Sequence, residues 1–406
     1  MDKTVQEKNV NKKIIVFFVL QCLYIFLSTV NIYLNFLLLV MIFLYNIMLV
    51  YKKRTIKKDA FLFYWLLFVA ISCISLFSPY NKNIINGISF ICCSMVFLLT
   101  YVVLTLEKND WISKLIKTLY VFTLIFAFAT LVQIFFPSII DSIKNIYIQS
   151  DKVDLSRSFI ERDTLYSGYN GLVVQTGTNA FLLCIFIGLG LFYLISKPNS
   201  KIKYMALIAL GLILLILTSK RTLLLAGVFA FVTVFLLYKR FNIKYLIAII
   251  VLGSIFVFIV FNFTNIGNKI IQKFNMSDGH ALSGREILYK KMFVNFKKSP
   301  VVGVGIDSKV DGQDGHNIYL QVASETGIAG ILIMLIFLFR NLIITYKYFM
   351  KQEKYKEYFA FSLYIQLVFL IWGITGNPLY DQFVLLTYFL IIALTTKCIE
   401  KIKLEE

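Results

Sequence analysis

Twelve apolar runs of 15 to 23 residues follow one another along this chain, most of them separated by short basic clusters. A bilayer core about 30 Å thick is spanned by roughly 20 helical residues. No water pairs with the backbone there, so each run must satisfy its own N–H and C=O groups as a helix. The runs fall at 14–29, 32–50, 60–77, 84–106, 118–136, 179–196, 205–219, 222–238, 246–263, 327–346, 359–376 and 383–397. Hydrophobic residues make up 59% of the chain, charged residues 16%, and mean hydropathy is +0.78. A soluble chain of 406 residues cannot bury that much apolar surface and still cover itself with polar groups. The expectation is an all-α polytopic membrane protein of about 12 transmembrane helices, with residues 1–406 as one integral membrane domain.

The net charge of +19 raises the possibility of a nucleic-acid partner, and its placement argues against one. Cytoplasmic termini put 25 Lys and Arg against 10 Asp and Glu on the inner segments, and 15 against 12 on the outer ones. That is the positive-inside bias, and the reverse orientation would violate it. The first run, Ile14 to Val30, lacks a small-residue cleavage site and reads as a retained span. Cys22, Cys73, Cys92, Cys93 and Cys184 lie in apolar runs and Cys398 in the C-terminal tail, so no disulfide framework is expected.

Two external segments are long, 137–178 and 264–326, and loops of that length are usually functional or disordered. Apolar and aromatic residues throughout both suggest short interfacial helices folded against the membrane, the second loop carrying most of the candidate chemistry.

Residues 205–238 are apolar except for Lys220-Arg221 near the middle, with basic clusters at both ends, which requires a hairpin. Each basic residue costs about 2.5–3.5 kcal/mol at the centre of a membrane helix. The pair either snorkels to lipid headgroups or faces inward and binds an anion. In the second loop Ser283-Gly284-Arg285-Glu286 has the form of a capping box. It opens an amphipathic helix with Leu288, Met292 and Phe296 on one face, ending before Pro300. Arg285 in its first turn is either a solvated cation or part of an anion site at the helix N-terminus.

Gly303 and Gly305 permit tight turns or close backbone approach. The acidic turn Asp307, Asp311, Asp314 does not have the ligand spacing of an EF-hand, and no metal site is expected. His316 is one of only two histidines, with His280. It is either an exposed loop residue or a general base poised near neutral pH.

The string Ser283-Gly-Arg285, Pro300-x-x-Gly303-x-Gly305, His316-Asn317-x-Tyr319-Leu, Glu325-x-Gly327-x-x-Gly330 resembles the signature of the O-antigen ligase and Wzy polysaccharide polymerase superfamily. Lys220-Arg221 after Ser219 is similar to the basic pair that family carries at the external end of an earlier span. Arg157 is similar to the Arg-rich first external loop of some polymerases. The resemblance implies a glycosyltransferase, multi-pass in the bacterial cell membrane. It would transfer a glycan from an undecaprenyl-diphosphate-linked oligosaccharide to a sugar hydroxyl, with no metal or other cofactor. His316 would deprotonate the acceptor, while Arg221 and Arg285 would hold the diphosphate. Lys220, Arg157 and Arg162 would supplement them, and Asn317 and Tyr319 would position the base, with Gly303 and Gly305 also at the substrate site. Flippase and chain-length regulator proteins, besides membrane lipid, are the implied partners. A Lys-, Asn- and Ile-rich composition fits a low-GC genome, and some such organisms lack lipid A, which favours a polymerase over a ligase. A lipid-linked oligosaccharide flippase or secondary transporter is the rival from another class, though no internal repeat supports it.

Overall fold

Apolar length and internal hydrogen bonding produce helices almost everywhere. The structure, a computed structural model, describes residues 16–24, 32–53, 59–107, 110–147, 168–239, 285–310 and 313–406. Residues 16–24 are helical, followed by α1 (Ile32–Lys53), α2 (Ala60–Leu76), α3 (Ile84–Leu106), α4 (Ile112–Phe135), α5 (Pro137–Tyr147) and α6 (Thr176–Ser196). A single 3-10 turn leads into α7 (Lys201–Leu217), then α8 (Arg221–Tyr238), α9 (Arg285–Lys298), α10 (Ile318–Lys351), α11 (Lys356–Trp372) and α12 (Gln382–Glu405). Among the described residues the only β pairing is an isolated bridge between Val310 and Gln313.

Among the described residues six helices, α3, α4, α6, α8, α10 and α12, are long and apolar enough to cross a membrane. α2, α7 and α11 have 17 residues each, about 26 Å of helix. The run 246–263 lies outside the described residues, as do 14, 15 and 25–29 of the expected first span. Two expected boundaries need correcting. α4 starts at Ile112, not 118, and Cys398 is not in a tail but buried within α12. All six cysteines are free.

α6 and α12 form the centre, their side chains buried nearly all round. α6 packs closely on α7, where a Cβ on Gly190 would come within 2.6 Å of Ile208 and one on Gly211 within 2.7 Å of Ile187. Small residues at such seams let helix backbones approach, which is how helices associate where lipid removes the hydrophobic drive. Phe61, Trp65, Phe337 and Phe389 interlock between α2, α10 and α12 at centroid distances of 4.9–5.2 Å. Gln366 donates to Thr345 Oγ1 (2.7 Å), tying α11 to α10, and Ser362 meets Thr395 (2.6 Å), tying α11 to α12. Arg340, within α10, sits 5.9 Å from the Tyr64 ring centroid, a cation–π contact that partly replaces its lost hydration.

Contacts sort the helix ends onto two faces. On one, Lys401 pairs with Asp110 (2.8 Å), Lys354 with Glu405 (2.6 Å), and Tyr101 bonds Asp59. On the other, Ile306 N–H donates to Ser75 Oγ (3.0 Å), Ile318 N–H to Gly373 O (2.9 Å), and Tyr169 N–H to Leu217 O (3.0 Å). That second face carries the loops that bear the candidate chemistry.

Candidate active site

The turn between α7 and α8 is held from two sides. Thr218 Oγ1 donates back to Leu215 O (2.7 Å), and Ser219 takes φ 57°, a left-handed conformation that reverses the chain. Lys220 then occupies the N-cap of α8 and Arg221 its first position. Against the turn lies the segment 168–175, where a Cβ on Gly168 would stand 2.1 Å from Thr218 O. This segment is anchored by a buried polar cluster. Asn170 Oδ1 accepts from Gln133 Nε2 (3.0 Å) and Lys144 Nζ (2.5 Å), and Gln133 Oε1 accepts from Gly171 N–H (2.8 Å). Lys144 is fully buried, and burial, partly opposed by the Asp141 carboxylate, lowers its pKa to about 8. Pattern reading missed this cluster, because Gln133 and Lys144 look like incidental polar residues at helix ends.

The second long loop returns to the same place. α9 runs from Arg285 to Lys298 as expected, with Met292 buried and Ile287, Phe293 and Val294 exposed. Ser283, the expected cap, lies outside the described residues. Arg285 Nη1 donates to Thr375 O (2.9 Å), just past the end of α11. His316 precedes α10 at φ 51°, and its carbonyl accepts from Tyr289 OH of α9 (3.3 Å). Asn317 caps α10, its Oδ1 accepting from the N–H groups of Tyr319 and Leu320 (3.0 Å each). Tyr319 OH donates to Leu370 O (2.8 Å). Both polar residues beside the imidazole thus secure its loop to α10 and α11.

α10 differs from the expected span 327–346. It begins at Ile318 and breaks at Gly327 (φ 68°, ψ −167°), so a nine-residue head precedes the long limb. The long limb after the break, residues 328–351, measures about 36 Å and spans the hydrocarbon core without the head. Carbonyls loosened by the break find partners in the Pro300–Gly305 segment: Val304 N–H donates to Ser324 O and Gly305 N–H to Glu325 O (3.0 Å each). Ile328 N–H reaches Pro300 O (2.8 Å). Gly303 and Gly305 make this possible, since a Cβ on Gly303 would meet Glu325 O at 2.2 Å and one on Gly305 would meet Asn81 at 2.5 Å. The close approach these glycines permit is to the protein's own backbone and to Asn81.

Lys220, Arg285 and His316 come from three elements, yet lie near enough for their charges to act on one another. Burial and then the Arg285 charge lower the His316 pKa, with a smaller push from Lys220, while Asp314 pulls the other way. Lys220 keeps exposed surface, yet neighbouring atoms strip enough water that desolvation leads in lowering its pKa, followed by Arg285. The site therefore holds an accessible imidazole biased to its neutral form beside fixed cations. Lys220 caps α8, Arg285 opens α9 and His316 precedes α10, so the positive ends of three helix dipoles lie on this side. Such a place suits an anion with several oxygens next to a group able to take a proton. Among the described residues no three His, Cys, Asp or Glu side chains gather to hold a metal. Arg157 and Arg162 lie outside the described residues.

An all-helical, multi-pass membrane protein with its polar site at one layer of helix ends is the class defined by these observations. Residues 206–335 match the family model described as O-antigen ligase, which bears out the resemblance read from the sequence. The match runs from α7 into the long limb of α10 and contains Lys220, Arg221, Arg285, Gly303, Gly305, His316, Asn317 and Tyr319. No curated protein matches the chain.

Proposed function

We propose that the protein is a metal-independent polymerase joining undecaprenyl-diphosphate-linked oligosaccharide repeat units into a surface polysaccharide at the external membrane face. What supports this reading most is that Lys220, Arg285 and His316, from elements almost a hundred residues apart, act on one another's charge. His316 takes the proton from the acceptor sugar hydroxyl, whose oxygen forms a bond to the donor's anomeric carbon. The bond from that carbon to the diphosphate oxygen breaks, and the electron pair leaves with the lipid diphosphate. Arg221 and Arg285 hold the diphosphate as its charge grows, with Lys220 beside them. Arg157 and Arg162 of the first long loop assist. In this topology there are twelve spans, both termini are cytoplasmic, and the site face is external. The alternating ends of the described helices support that arrangement.

A ligase is the second reading, favoured by the description of the matching family model. One experiment separates them. Purified protein is given polyprenyl-diphosphate-linked repeat units, and the products are run on a gel beside His316→Ala. A ladder that vanishes in the variant supports the polymerase. A single transfer seen only when another acceptor is supplied supports the ligase, and unchanged activity in His316→Ala removes the base assignment.

A further inference from the structure

We propose that Gln321 and Glu325 are positioning residues for His316, forming a hydrogen-bonded strut from the start of α12 to the loop that carries the imidazole. This rests on His316 being the base. Tyr380 OH donates to Glu325 Oε2 (2.5 Å), and Asp307 N–H donates to the same oxygen (2.8 Å). Glu325 Oε1 accepts from Gln321 Nε2 (2.9 Å), and Gln321 Oε1 accepts from Gly315 N–H (2.8 Å). Gly315 immediately precedes His316.

The chemistry of each group fixes the direction of the strut. A carboxyl that receives three donors leaves the Gln321 amide with its nitrogen turned towards Glu325 and its oxygen towards Gly315. Gln321 and Glu325 stand one turn apart on one face of the α10 head, and both are 2% exposed, so water does not compete. There is no slack at the far end either, since a Cβ on Gly315 would lie 2.6 Å from Met292 Sδ and 2.8 Å from Gln321 Oε1.

His316 needs such support. Its φ of 51° is one that residues with a Cβ disfavour, and its chain neighbours would otherwise relax it. Asn317 caps the helix after it, and the strut holds the residue before it. Between these two anchors the imidazole is kept within reach of the Arg285 and Lys220 charges, with Asp314 on its own loop. A network that merely joined helices would have no reason to end on the backbone beside the base. Among the described residues Glu325 hydrogen-bonds only neutral groups, so with them it forms no structural ion pair.

The test uses detergent-purified full-length protein, with Gln321→Leu and Tyr380→Phe as variants. Gln321→Leu cuts the strut next to the loop, and Tyr380→Phe weakens its remote end without creating a cavity. Modification by diethylpyrocarbonate is followed against pH, and peptide mass spectrometry separates His316 from His280. Thermal unfolding and transfer kinetics are measured on the same samples. The expected result for Gln321→Leu is a His316 titration midpoint that rises towards the ordinary imidazole value as the loop leaves the cations. With it, kcat falls on the order of 10²-fold while donor KM holds, the cost of misplacing a reacting group by about 1 Å. Tyr380→Phe shifts both in the same direction by less. An unmoved midpoint in both variants overturns the proposal, whatever happens to Tm, because a purely structural network would lower Tm alone. The midpoint is read without turnover, so the positioning claim stands or falls separately from the proposed reaction, which His316→Ala tests.

Discussion

Replacing Gly327 with Ala bears on the feature that most distinguishes α10 from an ordinary span. At φ 68° and ψ −167° the residue occupies backbone space that is essentially reserved for glycine, and forcing a Cβ into it costs about 1–3 kcal/mol. The new Cβ would also lie 2.2 Å from Val301 O, 2.3 Å from Val301 C and 2.7 Å from Val302 N. All three are backbone atoms that cannot swing aside, and overpacking of this kind costs roughly another 1–3 kcal/mol. The sum is roughly 2–6 kcal/mol. Relief by moving residues 300–302 would break the bonds that Pro300, Val304 and Gly305 make to the two halves of α10. Thermal unfolding in detergent reads the effect, with Gly177→Ala as the comparison because its Cβ would meet nothing nearer than Lys220 Cε at 3.9 Å. At roughly 1 °C per kcal/mol for a chain of this length, Gly327→Ala lowers Tm by at least about 2 °C, and Gly177→Ala leaves it nearly unchanged. A Tm within a degree of the parent, with transfer activity intact, would refute the reasoning, since it would mean the helix straightens without loss.

Arg221→Lys and Arg285→Lys each lose most transfer activity if planar, bidentate contacts to the diphosphate matter; full activity in both would reduce their role to charge. His316 acts as a base only when neutral, and burial with Arg285 and Lys220 lowers its pKa. Activity is therefore present above that lowered pKa and lost as pH falls through it, below the ordinary imidazole value. Lys220→Met moves the acid limb of the pH–rate profile to higher pH and Asp314→Asn moves it to lower pH; shifts of the opposite sign would show that another group titrates. Chelator treatment leaves the rate unchanged, and inactivation reversed by a divalent cation would reopen the acidic turn around Asp307 and Asp314 as a metal site.

How much the chain announced can be judged from particular elements. The run 84–106 is α3 residue for residue, and the hairpin read from Lys220-Arg221 and its flanking basic clusters is the α7–α8 pair. Both rest on hydropathy, which is local and additive. Residues 318–326 were harder to place. Their Gln, Ser, Glu and Thr interrupt the apolar pattern, so the segment read as loop, whereas Gln321, Glu325 and Thr326 find partners inside the fold. Gly303 and Gly305 were visible as positions needing freedom, but the atoms they avoid, at Glu325 and Asn81, are remote in sequence.

The sequence by itself determined that this is a helical membrane protein, where most of its helices run, and which arginines and histidine are candidates for chemistry. Solvent transfer of each apolar run decides the first two, and side-chain type decides the third. Only the tertiary structure decided that Lys220, Arg285 and His316 lie within reach of one another's charge and that α10 breaks at Gly327. It alone joined Gly315, Gln321, Glu325 and Tyr380 in one hydrogen-bonded chain. Charge coupling and hydrogen bonding depend on distances of a few ångströms between residues far apart along the chain, and no one-dimensional pattern carries those distances.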